Sequence, residues 1–194
     1  TQAAKGSMET LQDVVNACVA RGPGVKATTL AIPNKTIVAR FELTNLETSG
    51  GADDDLDLFL LDQSNRLIAS SAHTDSNESI TLTNLSMGIV KACVVGYKLK
   101  NGASTNFTLS YATAIPNDTK GNVKLSLPSS VTIGGTSTVG VSWSGLEKGK
   151  HYLGGVMMSN PEGSAKAITE INVDTRDVTP SSGVAYAKRT NAVN

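Results

Sequence analysis

Asp53-Asp54-Asp55-Leu56-Asp57-Leu58-Phe59-Leu60-Leu61-Asp62 is the stretch that decides how this chain is read. From Asp55 onward the side chains alternate with a period of two. Leu56, Leu58 and Leu60 go to one face, and Asp55, Asp57 and Phe59 go to the other. A helix would scatter those leucines around its circumference, whereas a strand gathers them on one side. The stretch therefore predicts a strand with a wholly apolar face and a second face that opens in carboxylates.

The same period surrounds it. Ile37, Ala39, Phe41 and Leu43 alternate with Thr36, Val38, Arg40 and Glu42. Ile80 and Leu82 alternate with Ser79, Thr81 and Thr83, and Phe107, Leu109 and Tyr111 alternate with Asn106, Thr108 and Ser110. Each predicts a half-buried strand with one wet face. The run Ile89 to Gly96 is apolar on both faces apart from Lys91 and fits a central strand. Turn clusters separate these runs at Pro33-Asn34, Ser49-Gly50-Gly51, Ser64-Asn65, Thr74 to Asn77 and Asn101-Gly102. Short strands at this spacing predict an all-β fold of antiparallel, jelly-roll or Ig-like sandwich type.

Before the β pattern, Met8, Leu11, Val14, Val15, Cys18 and Val19 recur at helical spacing, and Arg21-Gly22-Pro23-Gly24 stops them. Residues 1–24 thus read as a short helical connector, and 25–115 as a first β-sandwich. Ala114 to Gly121 is the best linker. Beyond it the period-two signal restarts: Val123, Leu125 and Leu127, then Val139, Val141 and Trp143, then two strands over 150–158 and 165–173, with a bulge expected near Glu170-Ile171. Residues 116–175 form a second β unit, and 176–194 a tail or edge strand around Val184-Ala185-Tyr186.

Composition narrows the partners. Of 194 residues, 17 are Lys or Arg and 17 are Asp or Glu, so the net charge is zero. Such a chain exerts no long-range pull on nucleic acid or on an anionic membrane, and neither is expected as a partner. Apolar residues at 39% are enough for a core, and no run is long enough to span a bilayer. No basic and then apolar leader opens the chain, so a signal peptide is expected upstream or already removed.

Cys18 and Cys93 belong to no CxxC pair, which argues against a zinc or thioredoxin-type site. They are either one disulfide closing a long loop or two separate buried thiols acting as small hydrophobes. The turn-rich, secreted-looking composition favours the disulfide and an extracellular location.

The residues for catalysis are missing. The two histidines, His73 and His151, sit far apart in the sequence, and Gly-x-Ser-x-Gly, a phosphate-binding glycine loop, HExxH and a dinucleotide fingerprint are all absent. Gly135-Thr136-Ser137 runs into Thr138-Val139-Gly140-Val141, a turn entering a strand. The chain is therefore expected not to be an enzyme.

Asp53, Asp54, Asp55 and Asp57 are the densest acidic run. Calcium takes six to eight oxygens, largely carboxylates and carbonyls, so these four are candidate calcium ligands, with Asp62, Asp75 or Glu78 completing the shell from nearby loops. The plainer alternative is a solvated strand entrance whose charges discourage aggregation. Trp143, the single tryptophan, falls at an inward position and is expected in the core. Asn-x-Ser/Thr triplets at Asn34, Asn77, Asn84, Asn106 and Asn117 occur at about the rate chance gives in so Ser- and Thr-rich a chain.

Four ordered pieces carry a family resemblance. Asp55-Leu56-Asp57-Leu58-Phe59-Leu60-Leu61-Asp62, then Asn65-Arg66-Leu67-Ile68-Ala69-Ser70-Ser71, then Glu78-Ser79-Ile80-Thr81-Leu82, then Gly88-Ile89-Val90-Lys91-Ala92-Cys93-Val94-Val95-Gly96-Tyr97 resemble the bacterial pre-peptidase C-terminal domain, with Asn106-Phe107-Thr108-Leu109 as its closing strand. Ile89-Val90 stands where that family usually carries an aromatic. In the second unit, Val141-Ser142-Trp143-Ser144-Gly145-Leu146 and His151-Tyr152-Leu153-Gly154 resemble a stretch of fibronectin-III-like sandwiches. Both units in this order resemble the C-terminal extension of secreted subtilisin-type serine proteases. The resemblance implies a non-catalytic accessory region that serves secretion, stability or substrate engagement, with the catalytic domain of the same precursor and insoluble protein substrate as partners. It also implies calcium as an optional cofactor. A free-standing extracellular module for protein fibres or polysaccharide is the alternative.

Overall fold

The computed structural model describes residues 2–3, 10–85, 88–100, 102, 104–116, 118, 122–176 and 187–191. Met8, Asn101, Asn117 and the Val184-Ala185-Tyr186 cluster lie outside these. The fold is mostly β, with one short N-terminal helix and several antiparallel sheets. The chain divides into two compact units, residues 1–113 and 114–194.

The first unit runs β1 (Gln2–Ala3), α1 (Leu11–Ala20), β2 (Val25–Ile32), β3 (Thr36–Leu43), β4 (Asp55–Leu61), β5 (Leu67–Ser71), β6 (Glu78–Leu85), β7 (Gly88–Lys98), β8 (Thr105–Asn106) and β9 (Ser110–Ala114). Among the described residues β1 pairs with β8 alone. The larger sheets have the orders β2-β7-β4-β5 and β6-β3-β9. They share one apolar core. Leu56, Leu58 and Leu60 of β4 and Val90, Ala92 and Val94 of β7 meet Ala39, Phe41 and Leu43 of β3 and Ile80 of β6. The leucine stripe of β4 is fully buried here, and β7 is the central strand that its doubly apolar sequence requires.

In this first unit two expectations need correction. β3 has no wet face. As the middle strand of its sheet it buries every residue except Arg40, which reaches back to Glu42 at 2.9 Å. The strand expected over 106–111 is broken, because Phe107 bridges Thr48 and the Thr108 amide donates to the Glu47 carbonyl at 3.1 Å. The ladder therefore resumes only at Ser110. Tyr111 packs against Phe41, with ring centroids 5.1 Å apart, and donates its hydroxyl to the Ala31 carbonyl.

The far face of the four-stranded sheet carries a second cluster. Phe59, Leu61, Ala27, Cys93 and Val95 are covered by Val14 and Cys18 of α1. Thr10 starts the helix as its N-cap, accepting from the Asp13 amide while the Asp13 carboxylate accepts from the Thr10 amide. Arg21 ends it in the left-handed conformation at φ 53°. Cys18 and Cys93 form a disulfide with Cα atoms 5.8 Å apart, fixing the helix to the central strand. That bond is consistent with an oxidising, extracellular setting. No helix among the described residues is long and apolar enough to cross a membrane.

The second unit pairs β10 (Val123–Ser126) with β11 (Gly140–Trp143), and β12 (His151–Ser159) with β13 (Ala165–Asp174) and β14 (Ala187–Asn191). Asn160 turns β12 into β13, accepting from Ser164 N at 2.7 Å, and Gly163 supplies the φ of 82° that this turn needs. The irregularity in this ladder lies between Met158 and Ser159, beside that turn, and not at Glu170-Ile171. Trp143 is not in a core: it stands opposite Val123 on the two-stranded ribbon and keeps 36% of its surface exposed.

Removing the disulfide with Cys18→Ala and Cys93→Ala together is expected to lower the unfolding free energy of the first unit by about 4 kcal/mol, the loop-entropy value for a closure of this length. Urea denaturation checks the magnitude. Hydrogen exchange should show α1 losing protection before β3 and β7 do.

Candidate functional site

The acidic entrance of β4 is where titratable groups gather, and the structure divides its four aspartates between different tasks. Asp53 is exposed and pairs with the Lys100 ammonium at 2.9 Å, which holds its carboxyl below the usual carboxylate range. Asp54 is buried. Its carboxylate accepts from the amides of Gly50 and Lys100, each at 2.9 Å, and from the Thr105 hydroxyl at 2.5 Å. It thereby fixes three chain segments that converge at the start of β4. A Cβ on Gly50 would overlap this carboxylate, which explains the glycine in that turn.

Asp55 and Asp57 remain, one strand period apart on the face that Phe59 and Leu61 present to α1. β5 ends opposite Leu58, so beyond that point β4 is flanked on this side by the loop after Ser71. That loop brings His73 and Asp75, and Glu78 opens β6 just after it. Glu78 is fully buried and accepts from the Ser71 hydroxyl, from the His73 amide at 2.6 Å, and faces His73 Nδ1 at 2.9 Å. Asp75 accepts from the Asn77 amide at 3.0 Å and the side-chain amides of Asn77 and Asn45, which keep its carboxyl low. Asn45 in turn accepts from the Ser76 amide, and the Ser76 hydroxyl donates to the Asp54 carbonyl, so the loop is tied back to the β4 entrance.

The electrostatic outcome is a crowd of like charges. Burial pushes the Asp55 carboxyl up, with Glu78 and Asp75 adding to it. Burial also raises Asp57, and Asp55 and Glu78 take it further, to about 7. The Asp55 Oδ1 atom is buried and has no hydrogen-bond partner.

Of the sequence candidates, then, the structure keeps Asp55 and Asp57 on one face and brings Asp75 from the loop and Glu78 from the start of β6 close enough to act on their charges. Asp62 goes elsewhere: it closes the β4–β5 hairpin by accepting from the Ser64 and Arg66 amides and from Arg66 Nε. The quartet Asp53, Asp54, Asp55 and Asp57 does not converge. Among the described residues, no three Asp, Glu, His or Cys side chains stand close enough together to hold a metal ion. Sequence reasoning passed over His73, which it placed in a polar turn. The signal available was its position five residues before Glu78, across a tight loop.

No protein-family model matches this chain, and no curated protein is similar to it.

Two outcomes test this assignment. Asp54→Ala removes the acceptor of three buried bonds and should cost about 3 kcal/mol of stability in urea titration. For Asp57, the folded state holds its proton more tightly than the unfolded chain, since its pKa is raised from 3.8 to about 7. Stability should therefore fall as pH rises through that interval and stay reduced above it. Asp174, held at about 2 by Arg176, adds stability that is lost only at lower pH. The urea midpoint should thus decline from about pH 5 to pH 8, and Asp57→Asn should flatten that decline.

Proposed function

We propose that this chain is the non-catalytic accessory region of a secreted bacterial subtilisin-like serine protease, joined to the C-terminal side of its catalytic domain. In this reading 25–115 is a pre-peptidase C-terminal-like sandwich and 116–175 a fibronectin-III-like one, and together they serve secretion, stability or substrate engagement. The observation that carries the reading is the ordered set of four sequence pieces, which fall on β4, β5, β6 and β7 of one compact unit. A core drawn from both large sheets supports the sandwich assignment of that unit. The disulfide supports secretion.

Tyr97 favours a second reading. It is 60% exposed on β7, and an exposed aromatic suits a free-standing extracellular module that binds protein fibres or polysaccharide.

The reading frame upstream of Thr1 separates the two. A domain bearing the Asp, His and Ser motifs of subtilisins is the expected result. A signal peptide running directly into Thr1 would sink the protease reading and leave the binding module. The isolated chain is expected to leave casein intact, and any hydrolysis abolished by a serine-directed inhibitor overturns its non-catalytic assignment.

A further inference from the structure

We propose that the end of the four-stranded sheet left open beside α1, where Asp55, Asp57 and Tyr97 share one face, is a recognition site for an arginine side chain of a peptide or protein partner. The inference does not depend on the protease reading, because it rests on three local observations.

The first is an orphaned acceptor. Asp55 is 9% exposed, and its Oδ1 has no hydrogen-bond partner. Oδ1 itself is closed to solvent, so a partner reaches this carboxylate through Oδ2, which is not among the buried orphans, and a donor there answers a group that its own chain leaves short of hydrogen bonds. The second is the neighbouring carboxylate. Asp57 lies on the same face, half-buried, and is in none of the ion pairs seen among the described residues. The two form a pair of neighbouring carboxyl groups with unfilled acceptor capacity, one buried and one half-exposed.

The third is the aromatic ring. Along β7 the residues Cys93 and Val95 face α1, so Tyr97 continues the same stripe beyond the helix. The β4–β7 ladder breaks register between Asp55 and Leu56, with Asp55 paired to Lys98 and Leu56 to Gly96. Tyr97 is the extra residue at that bulge, placed beside Asp55 and diagonal to Asp57, and it stays 60% exposed. Bulges of this kind re-aim a side chain at the end of a ladder.

A guanidinium fits what these residues offer. It is planar, presents its donors as a fork that matches a carboxylate, and stacks on an aromatic face. A metal ion fits less well, since no three ligating side chains converge among the described residues. A lysine ammonium would reach the charge but leave the flat ring unused. The charged groups bordering the site are Lys98, whose charge acts on Asp55, and His73, Asp75 and Glu78 of the adjoining loop and strand. Lys98 is the internal competitor for Asp55.

The test is an NMR titration of the full chain with the amidated peptide Gly-Arg-Gly-Arg-Gly, alongside the same peptide with citrulline, which is nearly isosteric and uncharged, in place of arginine. Saturable shifts at the amides of Asp55, Asp57 and Tyr97 are expected with the arginine peptide. The citrulline peptide should bind at least about tenfold more weakly, and Tyr97→Ala and Asp57→Asn should each weaken arginine binding by about five- to tenfold. The rest of each variant's spectrum should be unchanged, which confirms that it folds. Absence of saturable shifts, equal affinity for the two peptides, or variants that bind as well as the parent chain would overturn the proposal. So would calcium chloride shifting the same amides and displacing the arginine peptide, since the site would then belong to the metal.

Discussion

β4 is buried on both faces for most of its length, and the first unit is arranged around that constraint. Leu56, Leu58 and Leu60 have no exposed surface, and they need apolar partners from a second sheet, which β3 and β6 supply. Phe59 and Leu61 point the opposite way and need a cover of their own, which α1 provides. Burying a leucine is worth about 2 kcal/mol, so either face left open would remove a large part of the net stability of a domain this size. The disulfide acts on the weaker of the two covers. A ten-residue helix is marginal by itself, and Cys18–Cys93 ties it to the central strand of the sheet it shields.

The cost of this arrangement appears where the apolar pattern stops. The inner stripe ends at the turn containing Gly50 and Asp54, where a buried carboxylate replaces hydrophobic contact with three hydrogen bonds, one from Gly50 in the same turn and two from Lys100 and Thr105, distant in sequence. The outer stripe ends at Asp57 and Asp55, past the last residue of β5, and there Asp57 is half-buried and Asp55 is buried with an oxygen that has no donor. The same strand therefore ends in a satisfied acid on one face and unsatisfied acids on the other. A structural site is closed by its own chain, whereas an open one has capacity left for a ligand. Asp54 belongs to the first kind and Asp55 to the second, though they are adjacent in sequence.

The second unit is organised differently. Its described strands form a two-stranded ribbon and a three-stranded sheet, and Ile168, Glu170 and Ile171 are its buried residues among those described. Its local order comes from turn chemistry. Asn160 and Gly163 shape one end of the β12–β13 hairpin, and the Thr175 hydroxyl, bonded to the Glu147 and Lys150 carbonyls, shapes the other. Trp143 reads as a core residue by alternation alone. Alternation, however, says only that a side chain shares a face with Val123 and Val141, and not that anything packs on that face.

Much of the fold was legible because backbone geometry imposes its period on the side chains. The β4 stripe, the doubly apolar β7 and the helix ending at Arg21 all follow from local rules that act within a few residues. What the sequence could not show was which groups meet across the chain. It presents Asp53, Asp54, Asp55 and Asp57 as one acidic cluster, yet strand alternation and distant donors send them to a lysine, to three hydrogen-bond donors, and to a shared open face. It leaves His73 in a polar turn, yet that residue stands 2.9 Å from Glu78 beside the same face. Local sequence determined which residues point together, because the strand repeat is short and fixed. Only the tertiary structure decided which carboxylates find partners and which are left without one, because burial and donor supply depend on segments tens of residues away.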